Sequence, residues 1–393
     1  MAMQLDATRL DAALTPALQG FVARGAYAGF SATVWQGEEL VYQRLFGQQD
    51  REAATPWRED AIVRIYSMSK PITGAALAVL WDRGLWDIDD PVAQYIPEFG
   101  ETPVYVSGGP GDYVSAPQAA PMTLRHLFTH TSGLSYGFDE RPVDAIYRSS
   151  RLADYYEGRW NPDLAEFVAE LARQPLMFQP GTAFNYSFAT DVLGRVAEVI
   201  AGQPFRDLLR ETLFGPLEMV DTDFFVSDDR RARFAPCYSP VEGGGLKRLD
   251  GEGEARYRPA SRMHSGGGGL VSTLADYMRF LRMLLGEGEL GGVRVLSPRA
   301  VRYLMTDHLP PALFPYEAKN PGMGYGLCGA VRVQTDPLIA WDPVGLYHWG
   351  GAASTSMWVD PVNRMAGLLM PQLMPADFTA AEVLRRTVYT TAQ

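Results

Sequence analysis

The chain has 393 residues, 47% hydrophobic and 11% aromatic, enough for one large or two medium domains around a sizeable core. A net charge of −11 argues against nucleic acid or an anionic membrane as partner, since both require a basic face, and the longest apolar runs fall far below the roughly 20 residues of a membrane helix. Cys237 and Cys328 show no metal-ligand spacing and are expected to be free thiols, and the opening segment, with Asp6 and Asp11 and without the basic start or apolar run of a secretory signal, leads us to expect a cytoplasmic protein.

Residues 7–24 read as an amphipathic helix with Leu10, Leu14, Leu18 and Phe21 near one side and Pro16 as a point of interruption or kink. In "GFSATVWQGEELVYQRLFGQ" two alternating runs flank Gln36-Gly37-Glu38, which predicts a β-hairpin. A short strand at 63–66 then meets a helix that runs to about Asp82 and is ended by Arg83-Gly84. From residue 87 to about 264 the pattern is helices and long loops, in "TLRHLFTHTSG", "NPDLAEFVAELARQP", "FATDVLGRVAEVIAG" and "PFRDLLRETLFGPLEM", with little strand-like alternation. After "SGGGGL" come a helix near 274–285, strand-like "YGLCGAVRV", "YHWGG", "TSMWVD" and "MAGLLMPQL", and a helix near 376–391, while "GEGELGG" and "EGGGLKRLDGEGE" read as exposed loops. The expected fold class is α+β. Residues 1–86 and 265–393 would build one antiparallel sheet flanked by helices, 87–264 a mainly helical inserted domain, and the cleft between them a small-molecule site.

Of the 35 basic residues only Lys70, Lys247 and Lys319 are lysines, which leaves 32 arginines, so abundance does not explain a lysine three residues after Ser67 in "IYSMSKPITGAALAVLW". Three residues along a helix return to the same face and bring hydroxyl and amine within reach. A serine hydroxyl is a weak nucleophile until a neighbouring base takes its proton, and a desolvated lysine is such a base or tunes another group that is. The same spacing also describes a capping serine beside a solvated lysine. Ser135 competes for the role in "GLSYG", but that pattern works on a strand-to-helix turn, and here it follows a helical stretch and precedes polar "FDERP". His126 and His130 are four apart, yet Leu127 stands where a zinc helix has glutamate, so no metal is expected there. "HSGGGG" from His264 reads as a tight turn leading into a helix, and no dinucleotide fingerprint or phosphate loop occurs.

"IYSMSKPITGAALAVLW", "TLRHLFTHTSGLSYG", "FQPGTAFNYSFATDVLGRVAEVIAGQPF" with "GPLEMVDT", "SGGGGLVSTLADYMRF" and "YHWGGAASTSMWVDP" follow one another in this order. In that order the chain resembles the serine β-lactamase and penicillin-binding-protein superfamily, in its class C-like esterase branch, the family VIII carboxylesterases. The resemblance implies that superfamily's fold, with Ser67 as nucleophile, Lys70 as its partner and Tyr186 of "NYSF" as general base or relay. A tyrosine is a poor base at neutral pH, but a neighbouring ammonium favours its phenolate; Lys70 either supplies that charge or acts as a neutral base itself.

Two departures bear on substrate. Phe188 stands where β-lactamases carry an asparagine for the lactam side-chain amide, and Trp349-Gly350-Gly351 stands where they carry Lys-Thr-Gly, which removes a cation for a substrate carboxylate. The resemblance makes Trp349, Gly350, Gly351 and Phe188 substrate-binding residues, with the N–H groups of Ser67 and Ala352 as oxyanion hole; His348 is expected to line the cleft or hold a strand end. The expected activity is hydrolysis of short-acyl, small-molecule esters through an acyl-enzyme on Ser67, with no cofactor. The alternatives are β-lactam or D-amino-acid amide hydrolysis or acyl transfer at the same site, and a penicillin-sensor-like binding protein without turnover.

Overall fold

The computed structural model describes residues 3–249, 256–336, 339 and 341–392. Helix α1 (Ala7–Ala23) opens on Asp6, whose carboxylate accepts the Arg9 N–H at 3.0 Å, and it buries Leu10, Leu14, Leu18 and Phe21 on one face. It passes through Pro16 without a break. Pro16 lies on the exposed side, where the carbonyl that its missing N–H leaves unpaired can face water.

The chain continues through β1 (Gly29–Gln36), β2 (Glu39–Asp50), β3 (Thr55–Pro56), α2 (Ser69–Asp82), α3 (Ala189–Ala201), α4 (Leu274–Leu285), β4 (Met323–Tyr325), β5 (Ala330–Arg332), β6 (Tyr347–Gly350), β7 (Ser356–Asp360), β8 (Met365–Pro371) and α5 (Thr379–Thr391). The eight strands form one sheet in the order β4-β5-β6-β7-β8-β1-β2-β3, antiparallel throughout. Strands from the two ends of the chain meet at β1 and β8, with Phe30 opposite Pro371 and Gln36 opposite Met365. Side chains alternate across the pleat. Phe30, Ala32, Val34, Trp358 and Leu369 pack under α1 and α5, whereas Met357, Val359, Ala366, Leu368 and Met370 join α2 and α4 on the other face. All seven residues of β8 are buried, so a strand covered on both faces reads as the apolar run "MAGLLMP". The core on the α2 side continues without interruption into α3 and the helix Leu164–Ala172.

Several elements differ from expectation. The strand at 63–66 is only Val63–Arg64, because Tyr66 takes φ +42° and opens a 3-10 turn, Tyr66–Met68, ahead of α2. Between 87 and 264 the helices are accompanied by two hairpins, Val104–Ser107 with Val114–Ala116 and Cys237–Pro240 with Leu246–Leu249, and "GEGELGG" holds the short pair Glu289–Leu290 and Val293–Arg294. "EGGGLKRLDGEGE" contributes Leu246–Leu249, and its residues 250–254 lie outside the described residues. Strands of two to four residues are too short for an alternating pattern to register. "YGLCGAVRV" is a tight reversal between β4 and β5, with Gly326 N–H on the Gly329 carbonyl and Cys328 at φ +64°; Cys328 and Cys237 are buried free thiols. Among the described residues no helix is long and apolar enough to cross a membrane.

Candidate active site

Ser67 sits in the 3-10 turn immediately before α2. Tyr66, the residue before it, is one of the few non-glycine residues at positive φ, a costly conformation that persists only where its surroundings enforce it. That enforcement is visible. The Ile65 N–H donates to the Leu270 carbonyl at 3.2 Å, and Tyr277 Oη donates to the Met68 carbonyl at 2.8 Å. The turn presents the half-buried Ser67 side chain to a cleft, while α2 behind it is buried from Ser69 to Leu80.

Lys70 is fully buried, and its Nζ donates to Ser67 Oγ at 3.2 Å, Tyr136 Oη at 3.0 Å and the Gly267 carbonyl at 2.7 Å. Three acceptors match the three N–H bonds of an ammonium ion. The glycine-rich turn that supplies the Gly267 carbonyl is fastened to α2 by Thr73 Oγ1 on the Gly266 carbonyl (2.8 Å) and by Ser69 Oγ accepting the Leu270 N–H (3.1 Å). Asp191 on α3 holds it from the other side, accepting from Ser265 Oγ at 2.5 Å and from the Gly267 N–H at 3.3 Å. A Cβ at position 267 would stand 2.5 Å from Asp191 Oδ2, so a side chain there would displace the carboxylate that holds the turn.

Burial pushes the Asp191 carboxyl above its ordinary value of 3.8, against the opposing pull of Ser265 and Lys70. A raised folded value means that the group's contribution to stability is complete below about pH 3.8 and is lost as pH rises through the folded value. Ionised Asp191 therefore costs the fold stability. Asp191→Asn, of the same shape, is expected to leave the melting temperature at pH 7 unchanged or higher while lowering kcat about ten- to a hundredfold through a looser seat for Lys70. Thermal melts and steady-state kinetics on one preparation check both halves; a less stable protein with full activity is the opposite result.

Tyr186 brings its ring, not its hydroxyl, against Lys70, with Nζ 4.5 Å from the ring centroid. The ring also lies 4.7 Å from that of His130 and 5.7 Å from that of Trp349. The hydroxyl hydrogen-bonded to Lys70 belongs to Tyr136, a residue that the sequence reading did not single out. Tyr136 stands next to Ser135 in "GLSYG", and burial raises its pKa well above 10, so it stays a phenol at neutral pH. Ser135 itself is buried away from the cleft, donating to Asp144 Oδ1 and accepting the Gly137 N–H at 3.0 Å. His126 Nδ1 accepts the Thr123 N–H at 3.1 Å in a capping box, and His130 Nδ1 faces Ser187 Oγ at 3.3 Å. Burial, and secondarily the Lys70 charge, holds His130 well below 6.5, hence neutral.

The edge of β6 closes the site. Gly351 passes so near the Ile65 carbonyl and Thr355 Oγ1 that no side chain fits. This close approach sets Ala352 beside Ser67, and neither the Ser67 nor the Ala352 N–H has an acceptor among the described residues. Two cavities meet at Ser67, Tyr186 and Ala352. One, of about 430 Å³, is mainly aromatic and is walled by Tyr136, Tyr155, Tyr156, Phe188 and Tyr257 with Arg256. The other, of about 580 Å³, is more polar and runs along Trp349, Gly350 and Gly351 past His348 to Glu382 and Arg385. Phe188 and Trp349 thus stand on different cavities. Burial first, then Arg385 and Arg332, keeps His348 well below 6.5.

A family model described as Beta-lactamase matches residues 14–390. The chain is 32% identical over 385 residues to Esterase EstB of Burkholderia gladioli, covering 94% of this chain and 92% of that protein. It is 29% identical over 382 residues to Lovastatin esterase of Penicillium rubens (strain ATCC 28089 / DSM 1075 / NRRL 1951 / Wisconsin 54-1255), covering 91% of each. Its fold matches that of EstCE1, described as a hydrolase with promiscuous acyltransferase activity, with a TM-score of 0.81, 24% identity and coverage of 98% of this chain and 99% of that one.

Proposed function

The chain belongs to the Beta-lactamase family, and from that membership we propose that it is a serine carboxylesterase of the family VIII branch, cleaving short-acyl esters through an acyl-enzyme on Ser67. The observation that carries this reading is Ser67 Oγ at the junction of two cavities, 3.2 Å from the buried Lys70 Nζ. An ester has two halves and needs two spaces on either side of its carbonyl.

In this reading Ser67 Oγ attacks the carbonyl while its proton moves into the Lys70 and tyrosine network. The serine proton goes either to Tyr186 as a phenolate beside a charged Lys70, or to Lys70 in its neutral form, and the group that takes it returns it to the departing oxygen. The N–H groups of Ser67 and Ala352, free of other acceptors among the described residues, stabilise the oxyanion. The alcohol leaves protonated, and water repeats the sequence on the acyl-enzyme. Acyl transfer to an alcohol replaces that last step in a second reading, favoured by the description of EstCE1.

Trp349 and Phe188 stand where a lactam would need a cation and an amide, and missing polar partners cost a site several powers of ten in discrimination. We expect kcat/KM for p-nitrophenyl acetate or butyrate to exceed that for a chromogenic cephalosporin by at least about a hundredfold, with long acyl chains poorer than short ones. Steady-state kinetics on this panel tests the reading, and comparable values for ester and cephalosporin would move the assignment to a β-lactamase.

A further inference from the structure

Arg256 is set apart from the chain's other arginines near this site. Arg262 pairs with Asp163 and Arg233 with Asp221, but no carboxylate meets Arg256 among the described residues. Its Nη2 donates to the Tyr156 carbonyl at 3.1 Å, while its Nε is buried without an acceptor among the described residues. A guanidinium has five N–H bonds, and a buried one without a partner is costly to keep. Its carbon lies 5.2 Å and 5.5 Å from the ring centroids of Tyr155 and Tyr156, which hold it at the wall of the 430 Å³ cavity that opens onto Ser67.

The surroundings favour an anion there. Burial raises Tyr155 and Tyr156 above their ordinary value, so their hydroxyls remain donors, and the Tyr156 hydroxyl has no partner among the described residues. The acidic member of the same wall, Asp191, is held on the Lys70 side by Ser265 Oγ and the Gly267 N–H, both of which donate to its Oδ1, and it makes no ion pair with Arg256. Tyr136 lines this cavity too, with its hydroxyl 3.0 Å from Lys70 Nζ, so the groups able to protonate a departing alkoxide border it.

We propose that this cavity takes the alcohol half of the ester and that Arg256 recognises a carboxylate carried on it. The substrate class is then a short-acyl ester of a hydroxy acid, which rests on the esterase reading above. It does not conflict with the loss of a cation at Trp349, because Trp349 lines the other cavity.

The test compares acetate release from 6-acetoxyhexanoate and from 6-acetoxyhexanamide, which are equally reactive at the ester and differ in remote charge. In the wild-type protein kcat/KM for the anion is expected to exceed that for the amide by at least about tenfold, as a charge-assisted contact provides. In Arg256→Gln the ratio is expected to fall to about one, whatever the absolute rates, with Arg256→Lys between. A wild-type ratio near one, or a ratio that survives in Arg256→Gln, overturns the proposal. Competitive inhibition of the wild-type protein by hexanoate against hexanamide gives the same answer without any variant. A preference seen only when the acid is on the acyl half, for monomethyl adipate over methyl 5-carbamoylpentanoate, overturns the placement of the alcohol. Turnover without charge preference leaves the esterase reading standing, whereas no turnover and no labelling by a serine-directed phosphonate removes both.

Discussion

Ser67→Ala is expected to lower ester turnover by at least about ten-thousandfold and to abolish labelling by a serine-directed phosphonate, since removal of a nucleophile leaves only binding and oxyanion stabilisation. The substitution deletes one oxygen from a half-buried position and leaves Lys70 with Tyr136 and the Gly267 carbonyl, so the protein is expected to fold normally. Ser135→Ala provides the contrast. It removes a donor from buried Asp144, which keeps its ion pair with Arg141 at 2.7 Å, and is expected to cost about 1–3 kcal/mol of stability with labelling and turnover largely intact. A dead Ser135→Ala protein beside an active Ser67→Ala protein would reverse the assignment.

Replacing the proton-handling groups has the next largest effect. Lys70→Arg keeps a charge that cannot readily be lost, and Tyr186→Phe keeps the ring against Lys70 but deletes its hydroxyl; each is expected to lower kcat at least about a hundredfold, the ordinary worth of acid–base assistance. Tyr136→Phe removes one of three acceptors around Lys70 and leaves the other two, so a smaller loss of about tenfold is expected. Circular dichroism and thermal melts on each variant separate lost chemistry from lost fold, which matters because an arginine is larger than the fully buried lysine it replaces. Near wild-type rates in folded Tyr186→Phe with a collapse in Tyr136→Phe would transfer the relay to Tyr136.

The sequence made some of this legible for identifiable reasons. Leu10, Leu14, Leu18 and Phe21 recur at helical spacing, and Gly37 with alternating flanks marks the first hairpin, so α1, β1 and β2 are readable locally. The pairing of β1 with β8 joins residues more than three hundred positions apart and leaves no local trace beyond the apolar run of β8. The same limit applies to the site. Ser67 and Lys70 share one turn of chain, but Tyr136 and Gly267 reach Lys70, and Asp191 reaches Gly267, only through tertiary packing. A signal for each was present: the tyrosine adjoining Ser135, the aspartate five residues after Tyr186, and a run of four glycines denser than a plain turn needs. What the run could not disclose is that one of its carbonyls accepts from the lysine, a fact of backbone orientation rather than of side-chain identity.

The decisive measurement is the site of covalent acylation. The protein is mixed briefly with p-nitrophenyl acetate, quenched in acid, digested and examined by mass spectrometry for an acetyl adduct. The expected result is one acetyl group on the peptide carrying Ser67, absent from Ser67→Ala and lost on longer incubation as water completes the cycle. An adduct on the peptide carrying Ser135, or steady turnover by Ser67→Ala with no acetylated serine, would contradict an acyl-enzyme at Ser67.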